Sequence, residues 1–311
     1  MTTDEDALGF AAADPATYAA YASSTSNVVS IGETPWERQG QALTPLWMPH
    51  QWKPQARSDV RRALAQTGAA FAQWTEGWDT SPCEWWYICC DDGEYDLSRL
   101  QKGPRSHVRR GLAQCEVRTV DPQWFAQNGY PVYRAAFRHY GSKPSLSESG
   151  FVQEFTIHAR YPGRETWGAF VAGKLVAWVS CLVIGDAAIS SSSKSDPAYF
   201  QARPNNALLY VLTRHYLQDR GLKYVSAGAR VLRHQTNVQD FKEHMGYRRV
   251  YCRLQLELGW KGSLLNALRP QSWPRSLARG RLSDAIDSAK AFAAMVEIAR
   301  SCSAFPTDGV L

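Results

Sequence analysis

The sequence predicts a mixed α/β protein, and three observations carry that prediction. Runs of β-branched and aromatic residues alternate with runs of helical period along the chain. Neighbouring β-type runs in the second half are joined by short pairs that contain glycine, which are hairpin signals. A meander of three such strands precedes the first crossover helix of that half, an order that excludes a doubly wound Rossmann unit.

Composition bounds the reading. The chain has 311 residues with 44% hydrophobic and 12% aromatic content, enough for a substantial core, so a wholly disordered chain is excluded. Its net charge of +6 is too small to identify a nucleic-acid binder by itself. No run reaches the ~18–20 apolar residues of a membrane span. Met1–Asp6 is acidic, unlike the basic start of a signal peptide. The expectation is a cytoplasmic protein with no membrane span. The seven cysteines lack CxxC or zinc-ligand spacing and read as reduced, mostly buried thiols; no metal site is expected.

Each element has a local reason. Residues 1–40 hold six acids and one base with many Ala, Thr and Ser, which reads as an acidic, loosely ordered segment. Arg57–Gln66 reads as a helix and Cys83–Cys90 as an apolar strand. A helix covers Asp96–Gln114, interrupted or begun near Pro104, and a strand follows over Cys115–Val120. Asp121-Pro122, a capping residue with proline at the first turn, opens a helix through Tyr140. Ser147 or Glu148 opens another, to about Arg160.

The second half is clearer. Trp167–Ala172, Leu175–Ile184 and Ala187–Lys194 are strands, joined at Gly173-Lys174 and Gly185-Asp186. The middle strand is nearly all apolar and is expected to be buried on both faces. Pro204 starts a helix whose Leu208, Leu209, Leu212, Tyr216 and Leu217 share one face, closed by Gly221. Lys223–Ser226 is a strand, Asn237–His244 a short helix closed by Gly246, and Tyr247–Leu258 a long strand. Beyond Gly259 the chain reads as a basic helical tail, with candidates at Ser263–Leu268 and Asp284–Arg300. Residues 268–300 hold six bases and three acids.

The order of elements over Trp167–Leu258 resembles the GNAT N-acyltransferase fold. Gly168–Ala177 is similar to that family's G-x-x-x-x-G-x-L-V-A hairpin, and Met245-Gly246-Tyr247 to its Gly-Phe signature. Arg105–Leu112 and Phe241–Gly246 are similar to motifs of the double-GNAT branch that includes the Fem peptidyltransferases. The resemblance implies two GNAT-like halves, the first degenerate. The expected division is 1–40 acidic segment, 41–160 degenerate half, 161–259 acyltransferase half and 260–311 basic helical tail. It also implies that the strands near 187–194 and 223–227 lie parallel and splay apart to leave a slot for an acyl donor.

The same resemblance implies function. The expected activity is transfer of an acyl group from a thioester, acyl-CoA, to a primary amine of a small molecule or sugar precursor. The alternatives are a Fem-type transferase using aminoacyl-tRNA and a non-catalytic binding protein on the same scaffold. No permanently bound cofactor is expected. The family's glycine cradle for pyrophosphate is missing: where it would fall, before the helix at Pro204, stand Arg203, Asn205 and Asn206, the expected donor-binding residues. Lys242, four residues before Gly246, occupies the place of the family's leaving-group acid, where a fixed cation implies stabilisation of an oxyanion. His234 is positioned to relieve an amine of its proton. Arg230 and Arg233 flank it, suited to a carboxylate or phosphate. Arg105, Arg109 and Arg110 form a basic cluster within residues 101–164, which hold ten bases and four acids. Such a block suits an acidic acceptor or a tRNA.

Overall fold

A computed structural model describes residues 13–25, 27–232, 238–268 and 281–303. In chain order the elements begin α1 (Pro15–Thr25), β1 (Val28–Ile31), β2 (Thr34–Gln39), β3 (Ala42–Pro45), α2 (Arg57–Thr67), β4 (Phe71–Glu76) and β5 (Trp86–Cys90). They continue α3 (Lys102–Gln114), β6 (Glu116–Thr119), α4 (Pro122–Asn128), α5 (Tyr130–His139), α6 (Glu148–His158), β7 (Arg164–Val171), β8 (Lys174–Ile184) and β9 (Ala187–Ser195). The last are α7 (Pro204–Arg214), β10 (Tyr224–Ala229), α8 (Val238–His244), β11 (Arg248–Tyr251), β12 (Arg253–Leu258), α9 (Trp260–Ala267) and α10 (Arg281–Ser303). They form two compact units. One comprises the residues through Tyr18, Ile88–Gly228 and Gln239–Arg248; the other comprises Ala19–Tyr87, Ala229–Val238 and Arg249–Leu311.

In the unit around Ile88–Gly228 the strands run in the order β5-β10-β9-β8-β7-β6. β6 to β9 are antiparallel neighbours, whereas β10 joins β9 in parallel. β8 is buried along nearly its whole length, as its unbroken apolar run requires when both faces of a strand are covered. Phe125, Phe151, Phe155 and Trp178 form an aromatic core over one face. Asp121 caps α4 by accepting from Trp124 N at 2.7 Å, and Ser147 caps α6 by accepting from Gly150 N at 3.1 Å.

The other unit is built on a five-stranded sheet ordered β1-β2-β3-β4-β12. Trp36 and Trp74 meet edge to face at its centre, 5.8 Å between ring centroids. α2 ends at Gly68 in the left-handed conformation, the usual glycine terminator. α10 covers β12, with Phe292 against Phe71 at 5.1 Å.

The two units repeat one plan. β1-β2-β3 is an antiparallel meander, α2 crosses over, and β4 pairs with β3 in parallel. β7-β8-β9 is likewise a meander, α7 crosses over, and β10 pairs with β9 in parallel. Each unit thus carries the meander, crossover helix and parallel strand that the resemblance implies, although the units are not divided at residues 160 and 259.

Four local expectations differ from what is observed. Residues 15–39, read as loosely ordered, hold α1, β1 and β2; averaging composition over the segment concealed Val28, Val29, Ile31 and Trp36. The expected Asp121–Tyr140 helix is divided at Gly129, where a Cβ would lie 2.6 Å from the Phe125 ring and 2.9 Å from Phe151. The first hairpin turns at Ala172-Gly173, with φ of 48° and 75°, because a two-residue type I′ turn needs positive φ at both positions. The expected strand Tyr247–Leu258 is broken at Cys252, whose N–H is taken by the Trp85 carbonyl at 3.1 Å.

Candidate active site

The parallel ladder between β9 and β10 covers Tyr224↔Ala187 to Ser226↔Ile189 and stops there. β9 runs on to Ser195, so the strands part where a GNAT slot is expected. α8 stands in the same unit. Its Lys242 is half-buried as a residue, but its ammonium is enclosed, and burial pulls its pKa down to about 8. The nearby Cys181 thiol is itself pushed up to about 11 by burial and is therefore neutral. Lys242 Nζ lies 5.5 Å from the centroid of the Tyr247 ring. It has no carboxylate partner among the described residues. The expected fixed cation is thus an amine poised to gain or lose a proton near neutral pH.

Behind this group lies a buried network. Trp167 Nε1 donates to the Tyr216 hydroxyl at 2.8 Å, and Tyr216 donates to Glu165 Oε2 at 2.8 Å. Arg220 pairs with the other carboxylate oxygen of Glu165. Burial raises the Tyr216 pKa well above its ordinary value, so the hydroxyl remains a donor.

The start of α7 is already well furnished. Arg203 stands before it with φ 58° and ψ 40°, and its carbonyl accepts from Asn206 N at 3.1 Å and Ala207 N at 3.2 Å. Pro204 contributes no N–H. The Asn205 side-chain amide donates to Ser195 Oγ at 3.1 Å, and that of Asn206 to the Met245 sulfur at 3.5 Å. α3 crosses closely, since a Cβ on Gly111 would lie 2.7 Å from the Arg203 carbonyl oxygen. Burial and then the charges of Arg203 and Arg110 lower the His107 pKa, which sets these cations near one another. Arg203 Nε is buried and unpartnered among the described residues.

The remaining expected residues are dispersed. Arg105 donates to the carbonyls of Ser98 at 2.8 Å and Leu100 at 2.7 Å, fixing the approach to α3. Arg109 and Arg110 are exposed. Arg230 belongs to the other unit, where it pairs with Glu84 at 2.8 Å and lies 4.4 Å over the Trp86 ring. The carboxylate it holds is the chain's own. Arg233 and His234 lie outside the described residues.

Sequence reasoning missed a cavity of about 350 Å³ on the sheet face opposite Glu165 and Cys181. Tyr133, Phe137 and Phe155 form its apolar wall, and Arg164, Ser191 and Lys194 its polar one. A bulge shapes the polar side: Ser180 pairs with Ser192 and Cys181 with Ser190, leaving Ser191 extra. Ser191 Oγ accepts from Arg164 Nη1 at 2.6 Å and donates to the Ser180 carbonyl at 3.0 Å. The serine run Ser190–Ser193 was the available signal, but no local pattern ties it to Arg164. Among the described residues no group of His, Cys, Asp and Glu forms a metal site, and no helix is long and apolar enough to cross a membrane.

This architecture is similar in fold to FemX and to lysylphosphatidylglycerol synthetase domains. FemX superposes with a TM-score of 0.53 at 8% identity, over 78% of this chain and 90% of that one. The C-terminal DUF2156 domain of a putative lysylphosphatidylglycerol synthetase from Agrobacterium fabrum gives 0.51 at 12%, over 77% and 86%. L-PGS from Bacillus licheniformis gives 0.50 at 11%, over 81% and 93%. At these identities the likeness is one of fold. No protein-family model and no curated sequence matches the chain.

Proposed function

We propose that the protein is a GNAT-like transferase that moves an acyl or aminoacyl group onto a primary amine. The observation that carries the reading is Lys242, an enclosed amine with a pKa of about 8 on α8, in the same unit as the parting strands β9 and β10 and in a fold shared with FemX. In this reading the acceptor amine attacks the donor carbonyl, and the oxygen of the tetrahedral intermediate carries the charge. Neutral Lys242 takes the proton that the attacking nitrogen sheds and returns it to the departing thiolate or ribose oxygen.

Two donors are open to this chemistry, acyl-CoA and aminoacyl-tRNA. The start of α7 supports the second. A pyrophosphate at a helix N-terminus relies on free N–H groups, whereas Pro204 has none and Asn206 donates to Arg203. The exposed Arg109 and Arg110 suit a polyanion. The test is transfer to an amine panel from acetyl-CoA and from a mixture of charged tRNAs, each with wild type and Lys242→Met. Turnover with tRNA alone supports this donor. Turnover with acetyl-CoA alone returns the reading to the thioester, and none with either removes the transferase reading.

A further inference from the structure

Arg164 is, with Lys242, a charge in its unit that has no carboxylate partner among the described residues. Its Nε is buried and has no hydrogen-bond partner among the described residues. Its other bonds go to neutral hydroxyls, Ser191 Oγ at 2.6 Å and Ser180 Oγ at 3.4 Å. Tyr161 lies beside it, 5.7 Å from guanidinium carbon to ring centroid. No carboxylate pairs with it among the described residues. Arg164 is half-buried as a residue, but its Nε is sealed from water; leaving that donor unpaired and the charge without an anion is costly, and burial presses its pKa downward. A bound anion would supply the missing charge.

The surroundings agree. Lys194 lines the same cavity; among the described residues its Nζ has only the Ser193 carbonyl, at 3.0 Å, and the Phe137 ring, at 5.7 Å from the centroid. Burial lowers its pKa as well. His158, also on the wall, has its pKa lowered to about 4 by burial and by the charge of Arg164, so it is neutral and offers an uncharged ring nitrogen. Glu154 is the one acid among the lining residues. The opposite wall is aromatic, and the Tyr133 hydroxyl on it is already engaged with Ser145 Oγ at 2.7 Å.

We propose that this cavity binds a compact organic oxyanion, a carboxylate or a phosphate ester, with its charged head on Arg164 and Lys194 and an apolar body against Tyr133, Phe137 and Phe155. The guanidinium fork matches either head group in a two-point contact. A volume of about 350 Å³ admits a small molecule, not a polymer. The site stands apart from Lys242: Arg164 and Ser180 face the cavity, whereas Cys181, the neighbour of Lys242, faces the other side of the sheet. Its failure leaves the transferase reading standing, and the reverse holds too.

The experiment is titration calorimetry of the full chain with phenylacetate, 3-phenylpropionate, hexanoate and phenyl phosphate, with the corresponding amides as neutral controls. At least one anion should bind one to one, and its amide should bind at least about tenfold more weakly, the scale of a lost charge-assisted contact. Arg164→Gln should weaken the anion by about tenfold or more. Leu146 also lines the cavity, so Leu146→Trp, which keeps every charge but fills it, should block binding; it also serves if Arg164→Gln fails to fold. Tighter binding of a carboxylate or of phenyl phosphate assigns the head group. No anion bound at about 10 mM, or affinity unchanged in both variants, overturns the proposal.

Discussion

Lys242 Nζ sits 5.5 Å from the ring centroid of Tyr247, whose hydroxyl is bonded to Thr213 Oγ1 at 2.7 Å. The lysine thus has a fixed π face beside it in place of a carboxylate. A ring quadrupole stabilises a cation by ~1–2 kcal/mol, less than desolvation costs it here, which is why its pKa falls rather than rises.

Lys242→Met should reduce turnover by about 10²–10³ while the protein stays folded. Stability should respond in the opposite direction to activity. Because the folded pKa is near 8 and the unfolded one is ~10.4, the unfolded chain binds more protons between those values. Wild-type stability should therefore rise from pH 8 to about pH 10, by up to ~3 kcal/mol. Denaturant melts of both proteins across this range check it: a slope that persists in Lys242→Met would assign the titration to another group.

Acid should loosen the same unit through His158. Its folded pKa of about 4 lies below the unfolded ~6.5. The neutral ring's contribution is present above pH 6.5 and is lost as pH falls toward 4, a change of at most ~3 kcal/mol. His158→Asn should flatten the stability profile between pH 4 and 6.5. Equal acid sensitivity in the two proteins would end this assignment.

Glu165 holds the Tyr216 hydroxyl and Arg220 together at 1% exposure. Glu165→Ala should cost ~3–5 kcal/mol, since it leaves Arg220 without its counter-ion and Tyr216 without an acceptor. Adding Arg220→Ala should cost much less than a second independent loss. Additive losses in the double-mutant cycle would show that the pair is not coupled.

Gly111→Ala should destabilise by ~1–3 kcal/mol, because the new Cβ meets the Arg203 carbonyl oxygen at 2.7 Å and the Ala207 Cβ at 2.9 Å. The backbone oxygen is the Ncap acceptor of α7 and has little room to move. A melting temperature equal to wild type would mean that α3 can shift without cost.

Local signals carried some elements and tertiary pairing decided others. The meander β7-β8-β9 was legible because glycines punctuate it at Gly173 and Gly185. α7 was legible because its apolar residues keep one face, and α6 because Ser147 is a capping residue. β1 and β2 were hidden within an acidic stretch, since four- and six-residue strands leave little periodicity. Lys242 was reached through resemblance alone, and its altered titration belongs to enclosure, which one sequence does not display. Arg164 carried no signal: its significance lies in the absence of an acid beside it, and its serine neighbours arrive from 16 and 27 residues away.

The pairing of β4 with β12 joins Phe71 to Leu258 and Glu76 to Arg253. During synthesis, β4 is made long before its antiparallel neighbour leaves the ribosome. At ~5–20 residues per second the interval is on the order of 10 s or more. Throughout it, one edge of β4 has its hydrogen-bonding groups unpaired, and the apolar surface meant for α10 is uncovered. Exposed edges of this kind recruit foreign strands, and late long-range pairing is slow. The nascent N-terminal half is therefore the stage at which this chain is most exposed to aggregation, and expression yield should depend on chaperones that hold it until residue 303 is made.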